Sequence, residues 1–137
     1  MENQVWYHGR AGALAAPEEG LCCAATADVA ELYALAGSNV GRVYALQFAS
    51  SLHIADESDL AEAAEEVWGS EEWEERDTCS WTWDAADDPD VRAALASMGY
   101  DALTYRDSAP QNACEHVTLR LLRPIGHVVE WAPVEAA

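Results

Sequence analysis

The chain has 137 residues, half of them hydrophobic and six of them tryptophan, with a formal net charge of −18. That length holds one core and not two, and the apolar content excludes intrinsic disorder. Twenty-five acids face seven basic residues, all arginine, a field that repels nucleic acid and membrane surfaces and attracts a basic protein partner.

Residues 1–4 show no basic segment leading into an apolar run, and no stretch reaches the ~18 apolar residues of a membrane span. The expectation is a soluble, cytoplasmic domain. Cys22, Cys23, Cys79 and Cys114 include no Cys-x-x-Cys, so they read as small buried thiols in a reducing compartment, not as a disulfide framework. His53, His116 and His127 are too scattered to complete a metal site with them, and none is expected.

Taken in order, residues 4–7 predict a short opening strand that ends at His8-Gly9-Arg10. Residues 11–20, with Gly12, Pro17 and Gly20, read as a loop. Residues 21–25 are short and apolar, as in a buried strand. Thr26 is a natural N-cap, with Asp28 in the first turn, for a helix carrying Val29, Ala30, Leu32, Tyr33 and Ala36 and stopping near Gly37-Ser38-Asn39. Residues 43–48 alternate as a clear strand.

Residues 56–90 change character, with fifteen acids against Arg76 alone. Leu60, Ala61, Ala64, Val67 and Trp68 fall at helical spacing, so this is an acidic helical insertion. Trp73, Trp81 and Trp83 follow no single period; as large aromatics they read as anchors tying the insertion to the core. Asp88-Pro89 starts a helix over 89–98, with Val91, Ala94, Leu95 and Met98 on one stripe and Gly99 as its terminator. Strand character resumes over 100–105, followed by a polar loop over 106–112, an alternating strand over 117–122 and a last strand over 128–131. Strands that bracket helices in irregular order predict an α+β domain with a mixed or antiparallel sheet, residues 1–137 forming one unit.

Three stations stand in order: Tyr7-His8-Gly9 at the end of the first strand; Thr26, Ala30 and Tyr33 on the first helix; and, after Gly99-Tyr100-Asp101, Glu115 before an apolar strand. This set resembles the His-Tyr-Glu group of ADP-ribosyltransferases, which includes diphtheria-type toxins and poly-ADP-ribose polymerases. Within it, the length, the acidic middle helix and the Gly-Tyr segment ahead of Glu115-His116 are similar to small phage-encoded anti-CRISPR ADP-ribosyltransferases. The resemblance implies a split sheet with flanking helices and NAD+ as co-substrate. It implies that His8 bonds a ribose hydroxyl, the Gly9 backbone holds the nicotinamide amide, and Tyr33 stacks on the ring beside Thr26. Glu115 is then the catalytic carboxylate, stabilising positive charge on the sugar as the glycosidic bond breaks.

Asp107 in the same loop is the alternative carboxylate. Residues 21–25 lack the aromatic that closes the far side of the pocket in many relatives, leaving that side to Trp6 or a tryptophan of the insertion. Ala113 stands where arginine-directed relatives carry an acid or amide, which disfavours arginine as acceptor. Cys114 and His116 share a face of an extended chain, but no oxyanion-hole pattern accompanies them. The implied role is modification of a Cas complex subunit in a bacterial cytoplasm. The competing expectations are a toxin of a toxin–antitoxin pair using the same chemistry, and an acidic nucleic-acid mimic using none.

Overall fold

The structure is a computed structural model and describes residues 4–12, 14, 16–36, 40–48, 52–76, 81–108 and 115–135. The expected helix stop at 37–39, Cys79, Cys114 and the stretch 109–114 lie outside the described residues. Among those residues the chain forms seven strands and five helices. The strands are β1 (Gln4–Arg10), β2 (Cys22–Ala24), β3 (Val40–Phe48), β4 (Ile54–Ala55), β5 (Ala102–Ser108), β6 (Glu115–Leu121) and β7 (His127–Glu135). The helices are α1 (Ala27–Ala34), α2 (Glu57–Trp68), α3 (Ser70–Arg76), α4 (Trp81–Asp87) and α5 (Pro89–Ser97). No helix among the described residues is long and apolar enough to cross a membrane.

The strands form one mixed sheet in the order β4-β5-β6-β2-β1-β3-β7, parallel between β4 and β5 and antiparallel elsewhere. The architecture is therefore α+β, as the irregular alternation of elements predicts. Cross-strand partners share a face, so one row runs Tyr105, Thr118, Ala24, Tyr7 and Ala45 across five strands. Helices pack on that face. Ala30 and Ala34 of α1 bury against Val43 and Tyr7 at one end. At the other, Leu60 of α2, Ala85 and Ala86 of α4, and Val91 and Leu95 of α5 cover Leu103 and Tyr105. The opposite face buries Leu46, Phe48, Leu119 and Leu121 with Leu14, Leu21, Leu52 and Ile125 from the connecting segments.

Helix termini follow the sequence signals. Thr26 caps α1, accepting from the Val29 amide, and Asp88 caps α5 with Pro89 in its first turn. Asp56 and Asp59 form a reciprocal capping box on α2, which lets acids satisfy backbone donors instead of repelling each other. The insertion is anchored as expected: Trp68, Trp73 and Trp81 stack successively, at centroid distances of 6.4 and 5.1 Å, against the α2/α4/α5 core. Trp83 instead stands exposed.

Several segments differ from expectation. β1 continues from the predicted residues 4–7 through His8-Gly9-Arg10, in register with β3 throughout. β5 continues through Arg106, Asp107 and Ser108, which read as loop, because each finds a partner on β6. β4 went unforeseen: two residues form a strand only because β5 lies beside them.

α1 reaches the sheet through two glycines. A Cβ on Gly9 would lie 1.8 Å from the Ala30 carbonyl oxygen, and one on Gly41 2.1 Å from that of Ala34. The absence of side chains there lets the helix backbone rest on β1 and β3.

Candidate functional site

β1 and β2 pair through one residue couple, Tyr7 with Ala24. Beyond it, the edge of β1 that faces β2 has no strand partner among the described residues. A pocket opens there, lined by Tyr7, His8, Gly9, Cys22, Tyr33 and His116, with Thr118 on its floor. Its cavity volume is about 50 Å3, a shallow recess well below the ~300–1,000 Å3 of small-molecule sites.

Three of the residues singled out from the sequence converge here: His8, Gly9 and Tyr33. The His8 ring reaches across the gap, and its Nδ1–H donates to the Cys22 carbonyl at 2.5 Å. A carbonyl only accepts, so this bond fixes the tautomer and leaves Nε2 as an acceptor. Nε2 is buried and has no hydrogen-bond partner among the described residues. Burial pushes the imidazole pKa below its usual value, against the opposing pull of the Cys22 carbonyl, and the nearby Arg10 charge pushes the same way as burial. The ring is therefore neutral at pH 7 and presents a lone pair. An orphaned buried acceptor is costly, and a hydroxyl donor would satisfy it.

Tyr33 projects from α1 toward β6, where its hydroxyl lies 3.0 Å from His116 Nε2. Cys22 lines the same wall, its thiol 4.0 Å from the Tyr105 hydroxyl. Burial holds the Cys22 thiol protonated by raising its pKa, with Arg120 opposing and Asp107 and Asp87 adding to the rise. Arg120 sits beneath this wall, bonded to the Gly20 carbonyl at 2.9 Å and ion-paired with Asp87. A buried protonated thiol is a poor nucleophile.

Thr26, Glu115 and the alternative carboxylate Asp107 are not among the residues lining the pocket. Thr26 is spent on capping α1. Glu115 lies on β6 next to His116, and neighbours on a strand point to opposite faces. With His116 and Thr118 facing the pocket, Glu115 faces away; its side chain is 68% exposed and pairs with Arg106 at 3.9 Å. The alternative carboxylate is better placed. Asp107 sits directly across from His116, hence on the pocket's face, and its charge reaches Cys22 and Tyr105, helping to raise both pKa values. His116 and Thr118 were missed as pocket residues. The parity rule that separates Glu115 from His116 was legible; which of the two faced inward depended on the register with β2 and β5.

No protein-family model, curated protein or solved structure matches the chain.

Proposed function

We propose that the pocket takes the nicotinamide end of NAD+ and that the protein transfers ADP-ribose from it to a protein side chain, on an ADP-ribosyltransferase-like fold. The observation that carries this reading is the buried, unpartnered His8 Nε2. It sits in a small cavity lined also by Tyr33 and by Gly9 of β1. A ribose hydroxyl supplies the donor that Nε2 lacks. Tyr33 offers a stacking surface to the nicotinamide ring. The recess is small, about 50 Å3, so most of NAD+ stays outside it.

In the reaction, the bond between ribose C1′ and the nicotinamide nitrogen breaks, and its electron pair leaves with the ring as neutral nicotinamide. The acceptor's heteroatom bonds C1′ and gives up its proton. Positive charge builds on the sugar before the new bond forms, so a fixed carboxylate at the pocket mouth stabilises the transition state more than the ground state. Asp107 fills that role in place of Glu115, since it shares the pocket's face while Glu115 does not.

The acidic helices α2 to α4 then steer the domain to a basic protein surface. Modification of a Cas complex subunit is the narrower version, carried by the resemblance in length, acidic middle helix and the Gly99-Tyr100 segment ahead of Glu115-His116 to small phage-encoded anti-CRISPR ADP-ribosyltransferases. The test is incubation with labelled NAD+ and bacterial lysate, comparing wild type, Asp107→Asn and Glu115→Gln. Label transferred by wild type and Glu115→Gln, and lost in Asp107→Asn, is the expected result. Loss confined to Glu115→Gln returns the catalytic role to that residue. No transfer and no NAD+ binding, with a salt-sensitive block of a basic target, supports the mimic instead.

A further inference from the structure

Two histidine hydrogen bonds span the pocket. The His8 bond joins β1 to β2. The Tyr33–His116 bond joins α1, which rides on β1 and β3, to β6 on the other side of the gap. Because β1 and β2 share a single residue couple there, side chains rather than strand pairing set the geometry of this part of the cleft.

Resting on the nicotinamide reading above, we propose that His116 is the positioning residue of Tyr33: it accepts the tyrosine hydroxyl across the cleft and holds the ring as the pocket's aromatic wall. The ring nitrogens assign the roles. A proton on His116 Nδ1 serves both neighbours of that nitrogen, the Val117 carbonyl at 3.4 Å and the Thr118 hydroxyl at 3.5 Å, and in that tautomer Nε2 receives the Tyr33 O–H. The two rings meet edge to face at 81° with centroids 5.7 Å apart, a favourable aromatic geometry. α1 has only eight residues and Tyr33 stands in its last turn, where a helix frays most readily. A half-exposed ring in that position gains its order from what it is tied to. The arrangement also gives His116 a purpose that neither a metal site nor a cysteine pair requires.

The experiment has two arms on the intact protein. In the first, long-range 1H–15N NMR reads the His116 ring nitrogens, with Tyr33→Phe as the perturbation. The expected result is a protonated Nδ1 and an acceptor Nε2 whose shift moves when the hydroxyl is removed. An Nε2 indifferent to Tyr33→Phe overturns the proposal. In the second, calorimetry measures NAD+ binding. Tyr33→Phe and His116→Ala each weaken it by roughly two- to tenfold, the range of one hydrogen bond. The double variant loses no more than either alone, and His116→Gln, whose amide can accept at the Nε2 position, recovers most of the affinity. Losses that add, or a glutamine variant no better than alanine, contradict a positioning role. Should wild type not bind NAD+ at all, the nicotinamide reading falls, while the NMR arm still decides whether His116 holds Tyr33.

Discussion

Replacing Gly9 by alanine puts a methyl group into the backbone of α1. The new Cβ would stand 1.8 Å from the Ala30 carbonyl oxygen and 2.8 Å from the Ala34 nitrogen. An ordinary carbon–oxygen approach is about 3.3 Å, so helix and strand must separate by roughly 1.5 Å. Neither side yields as a flexible side chain would, because both contacts are main chain. Overpacking of this kind costs about 1–3 kcal/mol, and a backbone clash belongs at the upper end. In a domain of 137 residues, each kcal/mol moves Tm by roughly 3–5 °C, giving an expected drop of about 6–15 °C by circular dichroism. Gly12→Ala is the control: nothing lies within 4 Å of its Cβ, and its effect should stay within about 0.5 kcal/mol. Because α1 carries Tyr33, the Gly9 variant should also bind NAD+ more weakly even where it remains folded. A Gly9→Ala protein that melts with wild type would refute the packing of α1 on β1, and with it the placing of Tyr33.

Acid should destabilise the protein through His8. Its folded pKa is depressed by burial below the ordinary 6.5, so the unfolded chain binds the proton first. The stability contributed by the neutral ring is complete above about pH 6.5 and is lost as pH falls from there through the folded value. Urea titrations between about pH 7.5 and about pH 5.5 should show this loss in wild type and a smaller one in His8→Gln; equal slopes would place the proton elsewhere. Trp73→Ala removes the ring that joins Trp68 to Trp81 and should cost roughly 2–4 kcal/mol of unfolding free energy. NAD+ affinity should be unchanged, since the pocket lies beside α1; stability unaffected by the substitution would mean the tryptophans do not anchor the insertion.

How much of this was legible varied with where each signal originates. α1, α2 and α5 announce themselves through local chemistry: Thr26 and Asp88 cap where the sequence starts a helix, and Ala30, Leu60, Ala64, Val91 and Leu95 of the stripes are buried, while Leu32, Val67 and Met98 of the same stripes are exposed. β3 was legible because Val43 to Phe48 alternates within a single strand. The misread segments owe their structure to partners distant in sequence. Arg106, Asp107 and Ser108 are polar and suggest a loop, yet pair with β6 residue by residue. β4 exists only beside β5. The tryptophans defied periodicity because they pack across helix boundaries rather than along one helix.

The site divides the same way. His8, Gly9 and Tyr33, neighbours by the resemblance, line one pocket, and Gly9 also seats α1. Glu115 was read as facing the pocket from its order in the chain. A one-residue difference in parity along β6 puts His116 there instead, and the register with β5 puts Asp107 opposite it.

The central claim is that a nicotinamide-bearing ligand satisfies His8 Nε2. It is tested most directly by calorimetric titration of NAD+ into wild type and His8→Ala, each first shown folded by its thermal transition. The account predicts saturable binding to wild type and a loss of roughly tenfold or more in the variant, as expected when a buried polar contact goes unmade. Equal affinity in the two folded proteins, or none in wild type, would contradict it.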